Sequence, residues 1–273
     1  MDIGASFYAG CEIPFDQFLS MCNDLGMSYV EIQTEHPYTP SEMDRKRVNE
    51  VRELADTYGF DIILHGPLFD TNLSSLKECI RRASVKFVQE CVELASRLDA
   101  DLLVVHAGSF PRDLPSSLMS KARDQLHSSL SELTKVAVNT GVIIGVENKQ
   151  KSEDRELVLY PDEHLEVVEA FRDQGIRAVL DIGHAHTANS DLVSYTHLLN
   201  DLIIELHLHD NDGISDDHLP LGAGSIDFES LFEAVRSIGF TGPAILELKS
   251  RSDLESSVGF IRKNGILRKR DGY

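Results

Sequence analysis

Short apolar runs and longer segments of helical period alternate along the whole chain, and nothing else in the sequence constrains folding as strongly. The runs fall at Ile3–Tyr8, Tyr29–Gln33, Phe60–His65, Asp101–His106, Val142–Glu147, Arg177–Asp181, Leu202–His207 and Ala244–Glu247. They are rich in Val, Ile and Leu with little polar alternation, the pattern of parallel strands covered on both faces. Helical candidates lie between them at Pro14–Leu25, Ser41–Tyr58, Ser74–Leu98, Ser116–Asn139, Pro161–Gln174, Asp191–Asn200, Phe228–Ile238 and Asp253–Lys263. Gly141, Gly175, Gly239 and Gly265 stand as helix stops. In Ser74–Leu98 a broad apolar stripe runs through Val85, Val88, Cys91 and Val92, and Arg81-Arg82 is expected to face solvent. Eight strand–helix units predict an α/β fold, a single (β/α)8 TIM barrel over residues 1–266 with a basic tail at 267–273. A doubly wound open sheet is the competing architecture, but no G-x-G-x-x-G follows the first run.

From the third run onward each run ends on a residue that can bind metal: His65, His106, Glu147, Asp181, His207 and Glu247. Their separations are 41, 41, 34, 26 and 40 residues, close to one strand–helix unit each. In a parallel barrel these six positions ring the C-terminal mouth, where such barrels carry their chemistry. A single strand-end histidine is most simply a satisfied structural residue. Six such groups in register would bury charge at high cost without a cation, so a metal site is expected.

The stretch His207–Asp227 adds three His and five Asp in twenty-one residues. Asp216 and His218 are expected at the mouth, and His184, three residues beyond Asp181, joins them. His209 is read as pointing away from His207 or lying behind it; Asp210, Asn211, Asp212 and Asp217 read as loop polarity. Mixed imidazole and carboxylate donors suit Zn²⁺, Mn²⁺ or Co²⁺. Lys149 and Lys249 each lie two residues past a strand-end glutamate, so both can share the mouth and meet an anionic substrate; a solvated surface position is the alternative for each. Gly222-Ala223-Gly224 offers backbone N–H groups to a phosphate or a turn that folds the loop back.

Composition narrows the partners. The formal net charge is -19, from 45 acidic and 26 basic residues. A field of that sign disfavours nucleic acid and favours neutral or cationic partners. No run approaches the roughly 18 apolar residues of a membrane span. The segment MDIGASFYAG lacks the basic and apolar parts of a secretion signal. Cys11, Cys22, Cys79 and Cys91 form no C-x-x-C pair. A reduced, cytoplasmic protein is expected, and no signature sets its oligomeric state.

Seven motifs then carry a resemblance: I-L-H-G-P at 63–67, V-V-H-A-G at 104–108, G-V-E-N at 145–148, L-D-I-G-H at 180–184, H-L-H-D at 207–210, D-D-H-L-P-L-G-A-G-S-I-D at 216–227 and L-E-L at 246–248. In this order they resemble the xylose isomerase-like TIM-barrel superfamily, which includes endonuclease IV and many sugar or sugar-phosphate isomerases and epimerases. The resemblance implies one of two site chemistries. In the isomerases and epimerases, Glu147, Asp181, His207 and Glu247 would hold one divalent ion. Glu147 and Glu247 would exchange protons with substrate carbon, and His184 would bind a substrate oxygen. In endonuclease IV-like phosphoesterases, His65, His106 and Glu147 would hold a first zinc. Glu147 would bridge to a second, held with Asp181, His207 and Glu247, while His184, Asp216 and His218 would hold a third. One to three Zn²⁺ or Mn²⁺ ions per chain are therefore implied. Against the nuclease, K-Q-K-S-E-D-R-E at 149–156 stands where endonuclease IV has a small, Gly-rich segment, and its D-T-C-H is here D-I-G-H. The primary expectation is isomerisation or epimerisation of a sugar, sugar phosphate or related polyol. A non-enzymatic metal- or sugar-binding barrel would have no use for paired glutamates.

Overall fold

The apolar runs pair side by side as parallel strands. The computed structural model describes residues 1–8, 11 and 13–264, so the basic tail at 267–273 lies outside the described residues. The strands are β1 (Asp2–Phe7), β2 (Tyr29–Gln33), β3 (Asp61–His65), β4 (Leu102–His106), β5 (Ser109–Phe110), β6 (Ile143–Glu147), β7 (Arg155–Glu156), β8 (Ile176–Asp181), β9 (Ile203–Leu208) and β10 (Pro243–Leu246). Leaving aside β5 and β7, they close into an eight-stranded parallel barrel in chain order, with β10 returning to β1. The short strands β5 and β7 form a separate antiparallel pair above β4 and β6.

The helices are α1 (Phe15–Asp24), α2 (Arg45–Tyr58), α3 (Glu78–Arg97), α4 (Met119–Thr140), α5 (Pro161–Ala170), α6 (Ile182–Thr187), α7 (Leu192–Leu199), α8 (Phe228–Ser237) and α9 (Arg251–Lys263). Local chemistry moved several expected boundaries. Helix α2 begins at Arg45 because the Asp44 carboxylate caps the Arg47 N–H at 2.9 Å. The chain before α3 is held as a loop by Asn72, which accepts from the Ser74 N–H and hydroxyl. Helix α6 was not expected: Asp181 ends β8 and at once caps the next turn, accepting from the His184 N–H at 2.6 Å.

Side chains alternate along each strand. One set, including Leu103, Val105, Ile144, Val146, Leu180 and Leu206, is buried in the main core with the helices. The other set faces into the barrel, where Ile63, Leu102, Val104, Val179 and Ile245 form their own cluster. Ile63, Val104, Val179 and Ile245 lie two residues before His65, His106, Asp181 and Glu247. An apolar layer therefore floors the polar mouth. Gly145 belongs to the same layer, and a Cβ there would come within 2.5 Å of Val179.

Arg81 corrects the expectation of a solvent-facing Arg pair. It is buried, and its guanidinium donates to Glu78, Ser129 and Glu132, tying α3 to α4. Arg82 alone is exposed.

Candidate metal centre

The barrel brings all nine sequence-predicted ligand candidates together at the C-terminal mouth. Register sets neighbours directly: His106 opposes Glu147, and Asp181 opposes His207. His207 lies one residue inside β9 and Glu247 one residue past β10, so neither is strictly a strand end.

Glu147 is the hub. Its Oε2 lies 3.1 Å from His65 Nε2 and 2.7 Å from His106 Nε2. Its Oε1 lies 3.0 Å from His184 Nδ1 and 3.5 Å from His207 Nδ1. His207 Nδ1 is also 3.4 Å from Glu247 Oε1 and 3.9 Å from Asp181 Oδ2. On the loop side, His184 Nε2 and His218 Nε2 meet Asp216 Oδ2 at 3.3 and 3.2 Å.

The protonation pattern tests whether these residues fit a cation. His65 Nδ1–H donates to the Gly66 carbonyl and His184 Nδ1–H to that of Asn148. His218 Nδ1–H donates to the Glu247 carbonyl. His207 turns the other way, donating Nε2–H to Glu31 at 3.2 Å. A neutral imidazole keeps one bare nitrogen. In each of these four it then faces carboxylate oxygen, lone pair against lone pair. Among the described residues, buried His207 Nδ1 has no hydrogen-bond partner. Only a proton or a metal ion relieves that arrangement, and fixing the tautomer through the second nitrogen is how metal-binding histidines are oriented. The triads His65–Glu147–His207, Asp181–His184–His209, His209–His218–Glu247 and Glu31–His207–Glu247 each place ligand atoms within 4.8 Å of one another. The donor set fits a divalent metal.

Charge follows the same logic. Burial opposes protonation of His207, but the Glu31 and Glu247 carboxylates raise its pKa well above the ordinary value. Asp181 and Asp216 do the same for His184, again against burial. Burial also opposes His218, which Asp216 and Glu247 raise to about 9. His106 goes the other way, down to about 3, through burial and the charge of Lys149. Burial alone would raise Glu147, yet the surrounding imidazoles hold it well below the usual carboxylate range.

A cavity of about 360 Å³ opens above this cluster. His65, His106, Glu147, His184, Asp216, His218 and Glu247 reach its wall, and so do Lys149 and Lys249. Lys249 is exposed and donates to the Asp217 carbonyl at 3.1 Å; Lys149 is half-buried. Asp181 and His207 lie beneath, fully buried.

Asp210 and Asn211 depart from the sequence reading, and Glu31 and Glu205 were absent from it. Asn211 is fully buried, its side-chain NH₂ donating to the Gly183 carbonyl and its oxygen accepting from the Gly213 N–H. Of the two placements read for His209, the one behind His207 fits. His209 does not point away: it is buried, its Nε2 lies 3.2 Å from both Asp181 oxygens, and it stacks on His218 with centroids 4.0 Å apart. Asp210 is not loop polarity. Its buried carboxylate accepts from the N–H groups of Asn211, Gly222, Gly224 and Ile226. The Gly222 and Gly224 amides are thereby consumed, and the segment is a turn that folds the loop back. Glu31 and Glu205 are fully buried in the layer below the mouth. Burial and the charge of Glu31 push the Glu205 carboxyl well above the usual carboxylate range. The available signal was a glutamate inside each of two apolar runs, two residues before Gln33 and two before His207.

Such a mouth defines a TIM-barrel protein that places its polar chemistry at the C-terminal strand ends. More particularly, the chain belongs to the xylose isomerase-like TIM-barrel family, which residues 19–264 match. It is 33% identical to the uncharacterized protein MJ1311 of Methanocaldococcus jannaschii over 80% of this chain and 74% of that one. It is 23% identical to the fructoselysine 3-epimerase of Shigella flexneri over 86% of each chain. It is 30% identical to the "Probable endonuclease 4" of Mesomycoplasma hyopneumoniae over 68% of this chain and 69% of that one. Among solved structures, a D-tagatose 3-epimerase-like protein superposes with a TM-score of 0.86 at 29% identity, covering 97% of each chain.

Proposed function

We propose that this protein is a divalent-metal-dependent isomerase or epimerase of a sugar, sugar phosphate or related polyol. The observation that carries the reading is the pairing of Glu147 and Glu247. Both carboxylates approach the one bare nitrogen of His207, and both reach the wall of one cavity. Glu147, Asp181, His207 and Glu247 would hold the ion. When bound, it would supply Lewis-acid polarisation of a substrate carbonyl and its neighbouring hydroxyl. Glu147 and Glu247 are assigned proton removal and return at the carbon beside that carbonyl, a step that needs a base and an acid placed around one carbon. His184 is assigned to a substrate oxygen, and Lys149 and Lys249 to any anionic group. The epimerase names among the relatives support this class of reaction.

A second reading, an endonuclease IV-like phosphoesterase, is favoured by one observation: His65 and His106 both lie on Glu147 Oε2, which a single-ion isomerase does not require. Metal counting and solvent-deuterium exchange separate the two. The expected result is one exchangeable ion essential for turnover, and deuterium incorporation beside the carbonyl of a ketose or aldose. Glu147→Gln and Glu247→Gln should each reduce exchange by about 10²–10⁴-fold. Three tightly held zincs with cleavage of abasic-site DNA would replace this reading with the second. Full exchange in both Gln variants would remove the two-base mechanism.

A further inference from the structure

We propose that His209 is a positioning residue, the hydrogen-bond donor that holds Asp181 and ties the strand-end ligands to the loop pair Asp216–His218. Its Nε2 lies 3.2 Å from Asp181 Oδ1 and Oδ2 and 3.6 Å from Asp216 Oδ1. Two carboxylate oxygens of Asp181 at 3.2 Å from one ring nitrogen place the proton there. Nδ1 is left bare and buried, without a hydrogen-bond partner among the described residues. An imidazole held this way donates to the Asp181 carboxylate, and Asp216 Oδ1 lies just beyond hydrogen-bond reach on the same side of the ring.

Space for the ring comes from Gly183, between the capping Asp181 and His184 on α6. A Cβ at that position would meet His209 Cε1 at 2.0 Å, Nδ1 at 2.3 Å and Nε2 at 2.5 Å. Glycine disfavours a helix by roughly 1 kcal/mol relative to alanine, so its gain at position 183 is the room it leaves for His209. On its other side the ring stacks against His218, with an interplanar angle of 17°. The imidazole is thus clamped between the turn that presents His184 and the loop that presents His218.

This inference rests on the metal-centre reading of the mouth, and the test separates the two. Ion affinity is measured on the purified full chain by competition with a chromophoric chelator, using Zn²⁺ and Mn²⁺, alongside thermal unfolding of the metal-free protein. His209→Phe keeps the stacking and the volume and removes only the N–H. It should weaken the tightest ion about 10–100-fold, the usual effect of removing a ligand's supporting hydrogen bond. His209→Gln, which retains an N–H donor, should recover part of that loss. Gly183→Ala should displace the ring and reproduce the His209→Phe effect, and adding it to His209→Ala should cause no further loss. Wild-type affinity in His209→Phe would overturn the assignment while leaving the metal centre intact. A wild-type protein that binds neither ion would overturn the metal centre itself.

Discussion

Asp210 offers the sharpest test of how the loop that presents Asp216 and His218 is held. Its Oδ1 accepts from Asn211 N–H at 2.9 Å and Ile226 N–H at 3.2 Å, and its Oδ2 from the N–H groups of Gly222 and Gly224, both at 2.9 Å. Asp210→Asn is nearly isosteric but replaces one oxygen with an NH₂ donor, so two buried N–H groups face another donor. Hydrogen bonds to a charged acceptor contribute roughly 1.5–3 kcal/mol each. Losing two and weakening two should therefore cost about 3–5 kcal/mol. Backbone bonds between Asp210 and Leu219, both 2.8 Å, keep the neck of the loop paired. The penalty should accordingly appear as local opening of 211–226 rather than global unfolding. Amide hydrogen exchange is the assay. Protection of Gly222, Gly224 and Ile226 should fall by about two to three decades, one decade per ~1.4 kcal/mol, while the amides of β4 and β6 keep theirs. Metal titration of the same variant should show weakening at the Asp216–His218 side only. Unchanged protection at Gly222 and Gly224 would refute the claim that this carboxylate fastens the loop.

Two further outcomes follow from buried groups outside the mouth. His164 donates Nε2–H to the Val146 carbonyl and accepts from the Tyr195 hydroxyl at Nδ1, and burial lowers its pKa from 6.5 to about 4. The unfolded chain therefore binds the proton first, and stability falls as pH drops from 6.5 towards 4. Measured by urea unfolding, wild type should lose up to about 3 kcal/mol relative to His164→Gln across that window; parallel curves would refute the assignment. Arg81→Met should destabilise by roughly 1–3 kcal/mol, because α3 loses its hydrogen bonds to Ser129 and Glu132 on α4, while the solvent-exposed carboxylates left behind are not stranded. Arg82→Met should change stability by less than about 0.5 kcal/mol, and equal losses from the two variants would contradict the α3–α4 tie.

The barrel was legible because its signal is one-dimensional. Strand and helix period, with the glycine stops, can be read along the chain, and strand order in a closed parallel barrel follows chain order. Boundaries were less legible because single polar groups move them, as Asp44 does at α2 and Asp181 does at α6. The nine mouth candidates were visible because each ends a run or follows one within a short motif. Arg81 and Arg82 look alike in sequence, yet they part by a hundred degrees of helix rotation, enough to bury one and expose the other.

What the sequence could not show is which polar groups meet across the barrel. Glu31 and His207 are 176 residues apart, yet the Glu31 carboxylate selects which His207 nitrogen faces Glu147 and Glu247. His209 lies one residue past β9 and two beyond His207, so parity alone could have placed it at the mouth. Its partner Asp181 lies on the adjoining β8, and the gap left at Gly183 becomes visible only when α6 is folded over it. The ligand candidates sit where local pattern puts them, at strand ends. The residues that fix their tautomer, angle and loop lie one layer away, and their roles depend on contacts between distant parts of the chain. Substituting that outer layer should therefore alter ion affinity while leaving every candidate ligand in place.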